Sequence, residues 1–304
     1  MTRSFFLPIA LMGLLAALFT LNACQKDVEL ADQATPTTTH ATQRYQVFYG
    51  VTVASPGKPS QLVEINQASG LVTNVLPIQL DQGGGNFLPV NDVRGICYMG
   101  NGKYIISTGP DPIDLLSNAL MDLDVNTGTA YYLSSSTVGT VSDIDFDPLS
   151  GNIYGLRGNN IVTISGGGYN VYTQTGMLGL PAGYTAKGLT MIGDINIPST
   201  QVNIALSQNG NFGTTFVYKV NPATGVTGFI AQLLPNNELR GGNCSLSYQL
   251  QPGSEMYINR NTTTVFPGLG LNRLGGWPNQ GVVNTGNYGA SGFNFEDLSS
   301  DVGL

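Results

Sequence analysis

The sequence has almost no histidine. Its 304 residues include one, His40, which lies close to the N-terminal end. The chain beyond it therefore cannot build a Ser-His-Asp triad, a Cys-His nucleophile pair or a His-ligated metal site. Enzymes that act on glycosides with two carboxylates alone are not excluded. The acids from which such a pair would be drawn are Asp111, Asp114, Asp143 and Asp145.

Charged residues are also scarce. They make up 10% of the chain, and the formal net charge is −7, whereas about 25% charged residues is usual. An acidic chain without a basic run is not expected to bind nucleic acid or an anionic membrane surface. Hydrophobic residues reach 41% and alternate with polar ones, which predicts a folded, strand-rich domain rather than disorder.

The N-terminal residues have the pattern of a secretory signal. Arg3 precedes an apolar run from Phe5 to Phe19, which is too short to span a membrane. The run ends in Leu21-Asn22-Ala23-Cys24, which resembles the lipobox of bacterial lipoproteins. That resemblance implies that residues 1–23 are removed and that Cys24 becomes the lipidated N-terminus, whose acyl chains hold the protein on a membrane. The alternative is an ordinary secretory signal that happens to precede a cysteine.

Residues 24–43 are predicted to form a flexible tether. Its segment Gln25–Glu29 resembles the short Lys-plus-acid tag that sends some lipoproteins to the outer face of the outer membrane. We therefore expect a protein anchored in the outer membrane and exposed at the cell surface. A plain charged linker, with the protein facing the periplasm, is the alternative.

The remaining residues, 44–304, contain internal repeats. Each repeat has an alternating strand, then Asn or Asp, two further residues, Ser or Thr followed by Gly, and another strand. This is the chemistry of a hairpin turn, at a spacing typical of propeller blades. The three turns are Asn66 to Gly70, Asp124 to Gly128 and Asn221 to Gly225.

A further motif gives the fold. The segments Ile144 to Pro148, Ser150-Gly151 and Ile153 to Leu156 are similar to blades of bacterial secreted β-propellers, many of unassigned function. The resemblance implies an all-β domain, a β-propeller, and assigns no functional residue. We predict five four-stranded blades, with six as the alternative because residues 241–288 are hard to divide.

The blade boundaries follow from the strand pattern. Blades two to five are predicted to begin at Val93, Val141, Lys187 and Gly241. Residues 45–80 supply three strands but lack an inner one. The C-terminal segment 293–300 is a single unpaired strand. We expect it to complete the first blade and close the ring, because closure removes the open sheet edge.

The candidate ligand-binding residues lie at the start of the predicted inner strands. Three of these strands open with a base and a glycine: Arg94-Gly95, Lys187-Gly188 and Arg240-Gly241. Blade three has Asp143 nearby. Such positions converge around the central channel of a propeller, so they predict an anion-favouring mouth. The alternative is that each base pairs with a local acid, such as Asp92 or Glu238, and fixes a blade.

No metal or other cofactor is expected. The segment Asp122 to Gly128 has some calcium-loop character, but position twelve is Leu133 rather than Glu. The equivalent site in another repeat holds Lys219, so a hairpin turn is the better interpretation. Cys97 and Cys244 fall in non-adjacent blades and are predicted to be buried thiols rather than a disulfide. Trp277 either stacks on a sugar or packs in its loop.

These features together predict a non-enzymatic, monomeric binding module for a protein, a glycan or a small anion. Two alternatives stay open. One is a hydrolase or lyase that acts on glycans without histidine, and the other is a structural component of the cell envelope.

Overall fold

A computed structural model describes most of residues 47–300. The described residues are 47–52, 59–66, 69–110, 116–192, 201–208, 212–213, 216–232, 239–240, 246–249, 255–259, 271–275, 283–289, 293 and 295–300. From 239 to 289 they are backbone positions of strands only. Residues 1–46, including Cys24 and the predicted tether 24–43, lie outside the described residues, as do Asp111, Asp114, Glu238, Cys244 and Trp277.

The alternating segments form strands in five sheets, in which every pairing but that of β4 with β9 is antiparallel. We number these sheets in the order of their innermost strands around the molecule. Sheet 1 has the order β24 (Phe295–Ser300), β1 (Val47–Thr52), β2 (Gln61–Asn66) and β3 (Val72–Pro77). Sheet 2 contains β6 (Val93–Tyr98), β7 (Tyr104–Thr108), β8 (Ala119–Asp124), β9 (Thr129–Ser135), β4 (Gln79–Asp81) and β5 (Phe87–Pro89). Sheet 3 contains β10 (Ser142–Asp147), β11 (Asn152–Arg157), β12 (Asn160–Ser165) and β13 (Val171–Gly176).

The other two sheets follow along the chain. Sheet 4 contains β14 (Tyr184–Ile192), β15 (Gln201–Gln208), β17 (Phe216–Val220) and β18 (Thr227–Gln232). Sheet 5 contains β20 (Leu246–Gln249), β21 (Glu255–Asn259), β22 (Leu271–Gly275) and β23 (Val283–Gly289). A separate two-stranded pair joins β16 (Phe212–Gly213) to β19 (Leu239–Arg240).

The innermost strands form a ring. Strand β24 contacts β6, β6 contacts β10, β10 contacts β14, β14 contacts β20, and β20 contacts β24. Each of these strands lies at one edge of its sheet, so the sheets radiate outward from the ring. This is a β-propeller arrangement, as the sequence predicted.

The strand count differs from the prediction. Four sheets have four strands, but sheet 2 has six, so the expectation of five four-stranded blades is wrong. The extra strands are the hairpin β4–β5, which lies between the end of the predicted first-blade segment, near Leu80, and the predicted start of blade two at Val93. Strand β4 pairs in parallel with β9 and so covers backbone groups at the outer edge of sheet 2 that would otherwise be open.

The C-terminal strand completes sheet 1. Strand β24 pairs with β1 in a register that runs from Phe48 opposite Ser300 to Thr52 opposite Phe295. Phe295 and Leu298 are buried against Phe48 and Val63. The N-terminal three strands and the C-terminal strand therefore share one sheet and one small core.

Apolar clusters lie between neighbouring sheets. One cluster unites Tyr49 and Leu62 of sheet 1 with Ile96 and Ile106 of sheet 2, all buried. A second joins sheets 2 and 3 and includes Cys97, a free thiol whose pKa is raised well above its usual value by burial. Burial of alternate side chains on both faces supplies the main stabilisation of such sheets.

The repeated turns have a second role besides reversing the chain. Gly225 has φ of 72°, and its carbonyl accepts a hydrogen bond from the Leu178 amide at 2.8 Å, in the segment that follows sheet 3. Gly128 has φ of 74°, and its carbonyl accepts from the Gln79 amide at 3.0 Å, where β4 of sheet 2 begins directly after the end of sheet 1. These glycines thus hold the chain that has just left one sheet at the outer edge of the next.

Candidate functional site

Four inner strands carry a β-bulge at the same place. In β6, Arg94 is the extra residue between Val93 and Gly95. In β14, Lys187 is the extra residue between Ala186 and Gly188. In β24, Glu296 is the extra residue between Phe295 and Asp297. In β10, the register shifts between Ser142 and Asp145. A bulge changes the direction of the extra residue's side chain relative to the regular alternation of the strand. These positions therefore differ from the other positions of the same strands.

The bulges place polar side chains around one cavity of about 130 Å³. We call this cavity the channel mouth. It is lined by Arg94, Ser142, Asp143, Gly158, Thr185, Ala186, Lys187 and Glu296. Sheets 1 to 4 all contribute, and three of the four residues predicted from the sequence, Arg94, Lys187 and Asp143, are brought together there.

Arg240 is placed differently from the prediction. It lies in β19, which pairs with β16, and not at the start of an inner strand. The inner strand of sheet 5 begins later, at Leu246. Gly241 and Gly242 follow Arg240 directly, and glycine disfavours strand. The side chain of Arg240 lies outside the described residues.

Arg94 is held by two acids. Its Nε lies 2.6 Å from Asp92 Oδ1, and its Nη1 lies 3.3 Å from Glu296 Oε1. The Glu296 side chain is only 5% exposed. The local-acid alternative is therefore correct for Arg94 and Asp92. Glu296 was not singled out from the sequence, although Glu296-Asp297-Leu298 matches Arg94-Gly95-Ile96 once the bulges are aligned.

Lys187 has a different environment. It is partly buried in the wall of the channel mouth. Among the residues that the structure describes, no carboxylate lies within ion-pair distance of its ammonium group. An ammonium group is a compact cation with three donors that rotate freely about its carbon stem. Within the described part of the chain, Lys187 is thus the base of the mouth that has no acid partner.

The acids alter the predicted electrostatics of the mouth. Two acids, Asp143 and Glu296, line the mouth together with two bases, Arg94 and Lys187, and Asp92 pairs with Arg94. The described residues therefore do not form a broadly anion-favouring mouth: the prediction counted Asp143 as the one acid there, gave Asp92 only as a possible local partner, and did not include Glu296. The positive charge that stays available is local to Lys187.

Asp143 is bound into the fold. It is 1% exposed and has φ of 51°, in the left-handed region that non-glycine residues seldom adopt. Its Oδ1 accepts a hydrogen bond from the Leu189 amide of β14 at 3.0 Å. The carboxylate lines the mouth and at the same time ties sheet 3 to sheet 4.

Two further carboxylates bridge inner strands. Asp297 Oδ2 accepts from the Ile96 amide at 2.8 Å and from the Ile144 amide at 3.1 Å. Asp145 Oδ2 accepts from the Met191 amide at 2.7 Å, and burial raises the pKa of Asp145 to about 6. The acids considered for a glycoside-cleaving pair, Asp143 and Asp145, are thus engaged with the main chain of β14.

The described residues hold no group of three or more His, Cys, Asp or Glu side chains placed to bind a metal. The Asp122 to Gly128 segment is a hydrogen-bonded turn, in which Asp124 Oδ1 accepts from the Asn126 amide at 2.9 Å. Over the described ranges, no helix combines the length and the apolar character needed to cross a membrane.

Comparisons with known proteins give similarities at low identity. No family model matches the chain, and no curated protein matches it. Solved structures that resemble it include the nidogen/laminin complex, with 9% identity over 84% of this chain and 98% of that one, at a TM-score of 0.42. A Bacteroides thetaiotaomicron protein of unknown function has 12% identity over 85% and 86%, at 0.41. The β-propeller domain of Swd1 (Cps50) from Myceliophteria thermophila has 8% over 74% and 82%, at 0.33. None of these similarities assigns a function to this chain.

Proposed function

We propose that the chain from residue 44 onward is a non-enzymatic binding module, anchored through a lipid on Cys24, that takes its ligand at the channel mouth. The observation that carries this proposal is the set of aligned bulges. Four different sheets each place the bulged stretch of the inner strand against one cavity. Polar side chains that converge in one concavity are a general feature of ligand sites.

A closed ring of five blades is part of this proposal. We infer that sheet 2, despite its extra hairpin, acts as one blade beside the four four-stranded sheets, and that β24 closes the five-bladed ring. The mouth then lies at one end of the central channel, where the bulged inner strands begin.

The strand directions favour a mouth that faces away from the membrane. Phe48 pairs with Ser300 at the end of β24, whereas Glu296 lies at its beginning. Strand β1 therefore begins at the end of sheet 1 opposite the channel mouth. A flexible tether of residues 24–43 spans roughly 25 Å on average. Because the proposed tether is flexible, an outward-facing mouth is favoured rather than fixed. In that orientation the mouth is accessible from outside the outer membrane.

The experiment that tests the binding function uses the full-length protein. The detergent-solubilised protein is applied to a glycan array and is used for affinity capture from outer membranes. We expect Lys187→Ala to lower ligand capture at least tenfold. Lys103→Ala is the matched control, because Lys103 pairs with Asp122 at 3.5 Å in an exposed position away from the mouth. Unchanged capture by the Lys187 variant would count against the mouth as the site.

The anchor is tested separately by fractionation. Cys24→Ala should release or misprocess the protein, because the thioether to the lipid cannot form. Wild-type recovery of this variant in the membrane fraction would disprove lipid anchoring. That outcome would leave the binding proposal intact.

A further inference from the structure

We propose that the ligand of the channel mouth is a small monocarboxylate that bears hydroxyl groups, a sugar acid by chemical class, with its carboxylate bound to Lys187. This inference rests on the proposed binding function and names the ligand class of that site. It depends on which charged groups of the mouth already have a partner and which do not.

The two described bases of the mouth differ in availability. The guanidinium of Arg94 is already shared between Asp92 and Glu296, so a ligand carboxylate would have to displace an existing ion pair. The ammonium of Lys187 has no carboxylate partner within the described residues. A charge-assisted hydrogen bond to an incoming carboxylate is stronger than a neutral one. Lys187 is thus the place where an anionic group binds.

The acids restrict the charge of that ligand. Asp143 and Glu296 line the same cavity as Lys187 and lie within a low-dielectric surrounding, with exposed fractions of 1% and 5%. Their repulsion grows with each negative charge on the ligand. A single carboxylate satisfies Lys187, whereas a phosphate dianion or a dicarboxylate adds repulsion without a second free base among the described residues.

The rest of the wall suits hydroxyl groups. Ser142 and Thr185 belong to the lining, and Ser142 Oγ donates to the Leu156 carbonyl at 3.3 Å, so the hydroxyl oxygen keeps its lone pairs as acceptors. Drug-sized ligands need cavities of about 300–1,000 Å³, whereas this one measures about 130 Å³. The occupant is therefore small and polar.

The test is calorimetry on the full-length protein in detergent with three probes. The probes are D-glucuronate, D-glucose as the neutral analogue with the same ring, and inorganic phosphate. We expect glucuronate to bind at least tenfold more tightly than glucose or phosphate. Lys187→Met should lower the affinity for glucuronate at least tenfold, Lys187→Arg should retain it within a few fold, and Lys103→Met should leave it unchanged. Melting curves of all variants verify that each is folded.

Some outcomes overturn the inference. If glucose binds as tightly as glucuronate, or if folded Lys187→Met keeps wild-type affinity for glucuronate, the assigned ligand class is wrong. If Lys187→Met fails to fold, the ratio of glucuronate to glucose affinity in the wild-type protein and in Lys187→Arg decides. Different outcomes test the proposed binding function. It survives if another ligand is captured in a way that depends on the mouth, and it fails if no mouth variant alters any binding.

Discussion

Replacing Gly128 by alanine tests whether the repeated turns also join neighbouring sheets. Gly128 has φ of 74°, and a Cβ added there would lie 2.5 Å from the Pro77 carbonyl oxygen of β3, too close for any unstrained contact. Gly151 is the matched control. Its φ is 72°, and a Cβ at this position meets nothing within 4 Å. The two substitutions therefore share the backbone strain and differ in the contact with the preceding sheet.

The expected magnitudes separate the two variants. A non-glycine residue in the left-handed region costs about 1–2 kcal/mol, and this applies to both Gly128→Ala and Gly151→Ala. Overpacking adds about 1–3 kcal/mol for Gly128→Ala alone, because the Pro77 carbonyl must move. For a domain of this size, 1 kcal/mol lowers Tm by about 2–4 °C. Gly128→Ala should thus melt about 2–12 °C below Gly151→Ala.

The assay is thermal unfolding of both variants by circular dichroism under identical conditions, with urea unfolding as a second measure. Gly225→Ala serves as an independent repeat, because a Cβ at Gly225 would overlap the Gly176 carbonyl of β13. Equal melting temperatures for Gly128→Ala and Gly151→Ala would refute the inter-sheet role and leave these glycines as turn residues only.

Two further predictions concern the inner strands. The pKa of Asp145, about 6 in the folded protein, exceeds its ordinary value of 3.8, so between these values the folded state binds more protons than the unfolded state. The contribution of Asp145 to the free energy of unfolding should therefore rise as pH falls from about 7 to 4, and urea titrations of Asp145→Asn should lack this contribution. Deleting residues 293–304 removes β24, with buried Phe295 and Leu298, and opens the edge of β1. Strongly lowered Tm or aggregation is expected, and unchanged melting would contradict the role of β24 in the fold.

The local features of the fold were predictable from the sequence. The turn motifs and strand alternation depend on residues close in the chain. The third blade, for example, was predicted to start at Val141, and its first strand starts at Ser142. The pairing of β4 with β9 was not predicted, because it is a contact between segments that are far apart in the chain. Arg240 was misplaced because the base-glycine pair on which its assignment depended does not by itself mark an inner strand: Arg240 lies in β19, and the inner strand of sheet 5 begins at Leu246.

The candidate site was predictable only in part. The repeat positions of Arg94 and Lys187 place them at equivalent points of inner strands, and this symmetry is visible in the sequence. The acid that pairs with Arg94 is not, because Glu296 lies 202 residues away along the chain. The strands that carry them come into contact only when the ring of inner strands forms, and no local pattern records that contact.

The position of β24 has a consequence for the timing of folding. The strand that pairs with β1 is the last described strand of the chain, so sheet 1 keeps an open edge until nearly all of residues 47–300 have been made. Asp297 on the same strand supplies the acceptor for amides of both β6 and β10. Such pairing between distant segments is slow to form and leaves intermediates prone to aggregation. Because Glu296 lies on β24 and lines the channel mouth, a chain that lacks β24 also lacks the part of the mouth that sheet 1 supplies.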